Sequence, residues 1–331
     1  YNSGGSLTAT QMSNGETFAI DQLTGVITSS TNAATDKTYT LVVDVADSHG
    51  AHSQETVSLV LGGTGNDTLG NSSTSNDQVI YGFGGFDTIT GGSGNDFLVG
   101  GGIPTSGNGT ETISGGAGND WIVYESGNNS NRTVVLNGGA DNDTLVITGS
   151  TGLPTVDLSQ TSDQTTNTDR ATVTNFENVD ASGATAAISI TGSSVANILI
   201  GGTGNDTLVG GGGVDTLTGG GGADHFRFNA LSELGDHIAD FSGNAGQKDI
   251  IDLLGTAFGG VSWTAGNVLN ETIYQGTDAA TATLSGSQHF AYDSSTGSLY
   301  YDANGGSDAS RVLLAILDNH APLTATDIHK V

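Results

Sequence analysis

Residues 201–227 read GGTGNDTLV, GGGGVDTLT and GGGGADHFR, three nine-residue units in succession without an insertion. Each has glycine at its first, second and fourth positions, aspartate at the sixth and an apolar residue at the eighth. Asp206, Asp215 and Asp224 therefore recur every nine residues, with Leu208, Leu217 and Phe226 two places on. A glycine-rich disordered linker has no reason to keep that period. A six-residue turn followed by a three-residue strand makes half a coil, and two halves make a coil of eighteen residues with the apolar side chains of both strands pointing inward. Glycine is required because the turn demands positive φ and presents carbonyls where a β-carbon would clash.

Carbonyl oxygens and one carboxylate from a turn, stacked on the turn one coil away, form an oxygen cage of about six ligands, which suits a hard cation such as calcium. Spacing by eighteen pairs Asp206 with Asp224 on one edge and Asp215 with Asn197 on the other. The backbone ligands expected here are Gly202, Gly204, Gly210, Gly212, Gly219, Gly220, Gly221 and Gly222. Intact turns also end at Asp67, Asp96 and Asp120, with looser ones ending at Asp77, Asp87, Glu111 and Asp143. Pairing along an edge matches Asp67 with Asp87, Asp77 with Asp96, Asp96 with Asp120 and Asp120 with Asp143, at separations of 20, 19, 24 and 23 residues. The accompanying ligands are Gly63, Gly65, Gly82, Gly84, Gly91, Gly92, Ser93, Gly94, Gly115, Gly116, Ala117, Gly118, Gly138 and Ala140. Separations above eighteen place loops outside the coil at 103–109 and 127–132; repeat scaffolds usually carry binding function in such loops, but their serine, asparagine and glycine content names no ligand and favours a bland surface.

Composition agrees with a metal-built fold. The chain has 35 acidic against 7 basic residues and 53 glycines among 331, a balance that by itself favours disorder and makes nucleic acid and anionic membranes poor partners. Divalent cations resolve the conflict. There is no cysteine, so no disulfide framework supplies stability, and no apolar run approaches the roughly 20 residues of a membrane helix. The chain opens at Tyr1 without a charged and apolar leader, so no N-terminal signal peptide is expected.

Outside the repeats the texture changes. In residues 1–61, segments 16–28, 37–47 and 55–61 alternate like strands, and Phe18, Ile20, Val26, Ile27, Tyr39, Leu41, Val43, Val45, Val57 and Leu59 are expected to face a core. Asp47 reads as a solvated strand end. In 147–191 the glycine signature lapses while apolar residues continue, which predicts a solenoid without metal and with a polar excursion at 161–169; Val173, Phe176, Val179, Ile188, Ile190, Val195, Ile198 and Ile200 are its inward candidates. After Phe228 the period stops. Residues 229–331 have the size and apolar content to cap the last coil, with a hairpin turning at 295–297, a strand or short helix at 311–317, and an oxygen-rich hairpin loop at 302–308.

No enzyme is expected. The seven histidines contain no H-E-x-x-H motif, no serine lies in G-x-S-x-G, and there is no thiol. The abundant carboxylates sit in turns where a cation would neutralise them, and His225, His237 and His289 are scattered.

The G-G-x-G-x-D turns resemble the calcium-binding nonapeptides of RTX proteins. The pattern F-x-I-D-x-x-T-G-x-I, followed by Y-x-L-x-V-x-V-x-D, resembles the second half of a cadherin-like domain, and D-x-I-x-D-F followed by K-D-I-I-D-L resembles the C-terminal calcium domain of serralysin-like proteases. Together these are similar to the C-terminal end of an RTX adhesin or related surface protein of a Gram-negative bacterium. The fold implied is all-β: a calcium-binding parallel β-roll with a partial cadherin-like sandwich before it and a β-rich cap after it. The implied division is 1–61 sandwich, 62–146 first roll block, 147–191 metal-free break, 192–228 second roll block and 229–331 cap. The serralysin likeness implies that Asp236 or Asp240 completes a site beside Gly220, Gly222 and Asp224. It also implies export through a type I channel, directed by an uncleaved signal within roughly 279–331. Such a module binds calcium, folds outside the cell and works at the cell surface, on a host or matrix surface or on further copies of itself. The competing readings are a self-assembling surface-layer or matrix subunit and the secretion and folding domain of a hydrolase or epimerase. No nucleic-acid or membrane-inserted partner is implied.

Overall fold

The computed structural model describes residues 7–8, 18–20, 27–29, 37–46, 52–101, 108–125, 132–149, 155–160, 170–243, 247–259, 261, 264, 269–284, 288–305 and 311–331. Among them there is no α-helix, and strands of two to ten residues carry the fold. The chain divides into two compact units, residues 1–123 with 131–143 and residues 124–130 with 144–331.

In the first unit, Lys37–Ala46 and His52–Leu61 form an antiparallel hairpin, and Leu7–Thr8 adds to its outer side. Phe18–Ile20 pairs antiparallel with Ile27–Ser29. The hairpin is not a separate module. His52–Leu61 pairs in parallel with Gln78–Tyr81, which pairs with Phe97–Val99, which in turn pairs with residues 121–123. A boundary at 61/62 would cut a continuous ladder, and the roll itself covers the open edge that half a sandwich would leave. The facing wall stacks Thr68–Gly70, Thr88–Thr90, Gly109–Ala117 and Arg132–Ala140, all parallel. Ile80, Leu98 and Ile122 from one wall and Ile89, Ile113, Val134 and Leu136 from the other are buried, the inward members of period-two alternation. Leu59 is buried and Val57 partly so. Val26, Asp47, the side chains of Phe18, Ile20, Ile27, Tyr39, Leu41, Val43 and Val45, and the loops 102–107 and 126–131 lie outside the described residues.

The second unit repeats the design over more coils. One wall stacks Thr144–Gly149, Asn178–Ala184, Ile198–Ile200, Thr216–Thr218, Asp236–Ile238 and Val312–Leu317 in parallel. The other stacks Thr155–Asp157, Ser189–Thr191, Thr207–Val209, His225–Phe228, Ile250–Leu253 and Ile328–Lys330. Residues paired in register form two columns, Leu145, Val179, Leu199, Leu217, Ile238 and Leu317 against Val156, Ile190, Leu208, Phe226, Ile251 and Ile328, every one at 0% exposure. Each such burial contributes about 1.5–3 kcal/mol.

Two expectations from the sequence are corrected here. The solenoid does not stop at Phe228, because what a coil needs is one inward apolar residue per strand, and Ile238, Ile251, Leu317 and Ile328 supply it without glycine turns. Val195 and Ile198 point outward, at 54% and 51% exposure, and Ile200 is half-buried. Leu199 between them takes the inward place, as the two-residue strand period requires. Within 147–191, Val173, Phe176, Val179, Ile188 and Ile190 are buried. The excursion 161–169 lies outside the described residues.

Residues 311–317 are strand rather than helix. The hairpin Phe290–Asp293 with Ser298–Tyr301 turns through Gly297 at φ 73° and lies antiparallel to Val312–Leu317. Tyr301 packs edge-on to Phe258 at 5.2 Å and against Phe290 at 5.5 Å.

Candidate metal centres

The sixth residue of each turn stands immediately before its strand, so its carboxylate is carried to the seam between coils. In the second unit, Asp206 Oδ1 accepts from Ile188 N at 2.8 Å and Oδ2 from Gly202 N at 2.6 Å. Asp224 Oδ1 accepts from Asp206 N at 2.8 Å, and Asp249 Oδ1 from Asp224 N at 2.9 Å. On the opposite edge Asp215 Oδ1 accepts from Asn197 N at 2.7 Å, and Asp236 Oδ1 from Asp215 N at 3.0 Å. In the first unit Asp87 accepts from Asp67 N, Asp120 from Asp96 N and Asp143 from Asp120 N, at 2.8–2.9 Å. Each carboxylate thus spends one oxygen clipping the preceding coil.

The second oxygens make the case for a cation. Those of Asp120, Asp215 and Asp236 are buried without a hydrogen-bond partner. Those of Asp215 and Asp236 converge: a β-carbon built on Gly210 would overlap Asp215 Oδ2 and stand 2.7 Å from Asp236 Oδ2. Burial, followed by the neighbouring carboxylates, pushes Asp120 and Asp236 up to about 7 and Asp224 and Asp249 to about 6. Asp87, Asp96, Asp206 and Asp215 are also raised, chiefly by burial. Buried anions of one sign, with oxygens left over, fit a divalent oxygen-loving ion. No group of three His, Cys, Asp or Glu side chains that could hold a metal exists among the described residues, so the cages must take most of their oxygens from backbone carbonyls. Three proposed carbonyls, of Gly63, Gly92 and Gly202, also accept coil-to-coil hydrogen bonds from Gly84, Ala117 and Gly221, which leaves each a second lone pair.

The structure brings together Asp67 with Asp87, Asp96 with Asp120, Asp120 with Asp143, Asp206 with Asp224, and Asp215 with Asn197. It does not pair Asp77 with Asp96. Val79 stands opposite Phe97, so buried Gln78 faces Asp96 and donates its backbone N–H to Asp96 Oδ1 at 2.7 Å, while Asp77 accepts from Asn95 N. Nor does Asp236 stand beside Asp224, since it extends the opposite edge. Asp240 reaches the backbone of the last glycine turn, accepting from Gly219 N at 2.8 Å and Gly220 N at 2.7 Å. Asp249 is the residue that sequence reasoning missed; an aspartate directly before the apolar pair Ile250–Ile251 was its signal. At the end of that edge Lys248 Nζ lies 2.9 Å from Asp327 Oδ1 and 2.8 Å from both oxygens of Thr326. Glu111 pairs with Arg132 at 3.1 Å.

A pH dependence follows. Folded-state values above the ordinary carboxylate range mean that protonation favours the metal-free fold: that stabilisation is complete below the ordinary carboxylate value and is lost as pH rises through about 6 to 7 for Asp120, Asp224, Asp236 and Asp249. Calcium requires the ionised form. Chelated protein, held unfolded at pH 8 by its ionised seams, is therefore expected to regain β signal in circular dichroism at pH 5, while calcium affinity by titration calorimetry is expected to be weaker at pH 5. The same β signal in chelator at both pH values would remove the buried carboxylates from the account.

The family model described as RTX calcium-binding nonapeptide repeat (4 copies) matches residues 73–102, 105–130 and 191–226. These stretches hold Asp77, Asp87, Asp96, Glu111, Asp120, Asn197, Asp206, Asp215 and Asp224. The cofactor of such repeats is calcium. No curated protein matches the chain. Among similar solved structures is the extracellular lipase LipA from Serratia marcescens, 15% identical, with a TM-score of 0.25, covering 78% of this chain and 40% of the lipase chain. The present chain thus spans 40% of that protein's length.

Proposed function

We propose that the chain is the calcium-dependent repeat module of an RTX adhesin or surface protein, exported by a type I channel and folded outside a Gram-negative cell. The observation that carries this reading is the meeting of Asp215 Oδ2 and Asp236 Oδ2 beside Gly210, a seam that needs a cation once both carboxylates are ionised. Such a seam cannot close where calcium is scarce and closes where it is millimolar, which suits a chain that must cross a channel unfolded. The repeat module performs no chemistry of its own; its carboxylates are ligands rather than acids and bases.

Export and attachment are tested separately. In a Gram-negative host carrying a type I exporter, the full chain should reach the medium, and a chain lacking residues 279–331 should stay inside. Equal export of both would overturn the type I reading. Cells or beads displaying the chain should attach to a matrix-coated surface in calcium and detach in chelator. Attachment unaffected by chelator would remove the adhesin role.

A further inference from the structure

One turn of the first unit departs from the rest, and its departure is chemically complete. Thr112 N donates to Asp87 O at 2.8 Å just as Thr88 N donates to Asp67 O at 2.8 Å, so Glu111 holds the place in its coil that Asp87 holds one coil earlier. The surroundings agree. A β-carbon on Gly100 would run into Glu111 Oε1, as one on Gly82 would run into Asp87 Oδ2. The strand register then sets Val134 opposite Glu111. A buried valine, at 0% exposure, stands where the next carboxylate of this edge belongs, so the seam between the two coils has one anion instead of two.

The same register sets Arg132 opposite Gly109, two residues before Val134. Its guanidinium lies 3.1 Å from Glu111 Oε2, and the two side chains are 2% and 6% exposed. Only seven basic residues exist in the whole chain, and burying one is expensive unless a fixed anion meets it. We infer that Arg132 is a tethered cation that takes calcium's place at Glu111, making this seam calcium-independent and ending the metal ladder of that edge after Asp67 and Asp87. One positive charge balances the one carboxylate, whereas a divalent ion would leave an excess charge in the seam. A guanidinium is charged at every working pH, so the charge of this seam is balanced without calcium. In the second unit a half-exposed lysine, Lys248, meets three oxygens of Thr326 and Asp327 next to Asp249, the last carboxylate of its ladder, without pairing with that carboxylate.

The inference rests on the calcium reading of the other turns, and the experiment separates the two. Bound calcium per full-length chain is counted by equilibrium dialysis, and melting is followed from chelator to millimolar calcium. Wild-type protein that binds no calcium would end the proposed function without reaching this question. If it binds, the Glu111→Gln/Arg132→Met pair removes both charges while keeping the volume, and the count should stay unchanged. A count lower by one would show Glu111 to be a calcium ligand and overturn the inference. Arg132→Met alone leaves the carboxylate without its cation, so the calcium concentration at the folding midpoint should rise severalfold and saturating calcium should recover most of the lost melting temperature. A loss that is the same at every calcium concentration would mean that Arg132 only packs. Arg132→Met/Val134→Asp rebuilds the seam with two carboxylates and should bind about one calcium more than wild type; no gain would count against the inference.

Discussion

At pH 8, excess chelator is expected to abolish the β signal of the repeat region in circular dichroism, and added calcium to restore it. The reason lies in the seams. Asp87, Asp96, Asp120, Asp206, Asp215, Asp224, Asp236 and Asp249 are all buried, each within reach of another carboxylate's coil, in a chain of net charge −28. The short strands of the glycine turns, such as Thr207–Val209 and Thr216–Thr218, bury only one or two apolar residues each, which cannot offset ordering so many glycines against that repulsion. Calcium reverses the sum. Each site contributes RT ln(1 + [Ca]/Kd), about 2.7 kcal/mol at a hundredfold excess over its constant, and several sites in one stack exceed the usual net stability of a domain. Titration should find on the order of five to nine ions. A complete β spectrum in chelator, or fewer than three bound ions, would sink this account.

The second large effect is a single methyl group. A β-carbon at Gly201 would overlap the Gly219 carbonyl oxygen and crowd Asp206 Oδ2, whereas one at Gly65 meets nothing within 4 Å. The two glycines occupy related turns in similar sequences, so composition alone would rank them equal. Gly201→Ala is expected to lower stability in saturating calcium by about 3 kcal/mol or more, because the obstacle is backbone and a metal-ligating carboxylate rather than a movable side-chain end. Gly65→Ala should stay within about 0.5 kcal/mol. Denaturant midpoints of the two variants decide the matter, and equal shifts would mean that the turn glycines serve backbone freedom alone. By the same logic Asp206→Ala should cost far more than Asp77→Ala, since Asp206 is buried and clips two backbone N–H groups while Asp77 bonds one, at the surface.

Much of this architecture could be read from the period, because an inward leucine two residues after a buried aspartate is a local pattern with one structural solution. Leu208, Leu217 and Phe226 face the core for that reason. What escaped was non-local or off by one. Gln78 displaced Asp77 because strand register, set by Val79 against Phe97, outranks the more eye-catching residue type. Asp249 escaped because its coil replaces the glycine turn by a longer excursion, so the eighteen-residue spacing that paired Asp206 with Asp224 becomes 25. The coils after Phe228 keep the inward apolar residue but not the glycines, and glycine was the signal being followed. The attachment of His52–Leu61 to Gln78–Tyr81 joins segments of unlike texture, which no periodicity announces. The tether at Glu111 is a case of its own: the glutamate was visible as a degenerate turn, but its partner became meaningful only once the strands had placed Arg132 beside it.

The parallel stacking of the second unit has a mechanical consequence. Strand Thr207–Val209 touches Ser189–Thr191 on one side and His225–Phe228 on the other, so every coil is gripped only by its two neighbours, through bonds that run along the stack. Tension applied along the stack loads those bonds in series, and the terminal coil yields first while the rest stay wound. Each coil between Ser189 and Phe228 that peels away pays out about 18 residues, or roughly 60 Å of slack at 3.3–3.6 Å per residue, and the coils at either end pay out more. A pulling trace in calcium should therefore be a staircase rather than one rupture, with longer steps from the end coils, near-equal steps from the coils between Ser189 and Phe228, and the ions setting the height of each step. A tether built this way lengthens under load before it breaks.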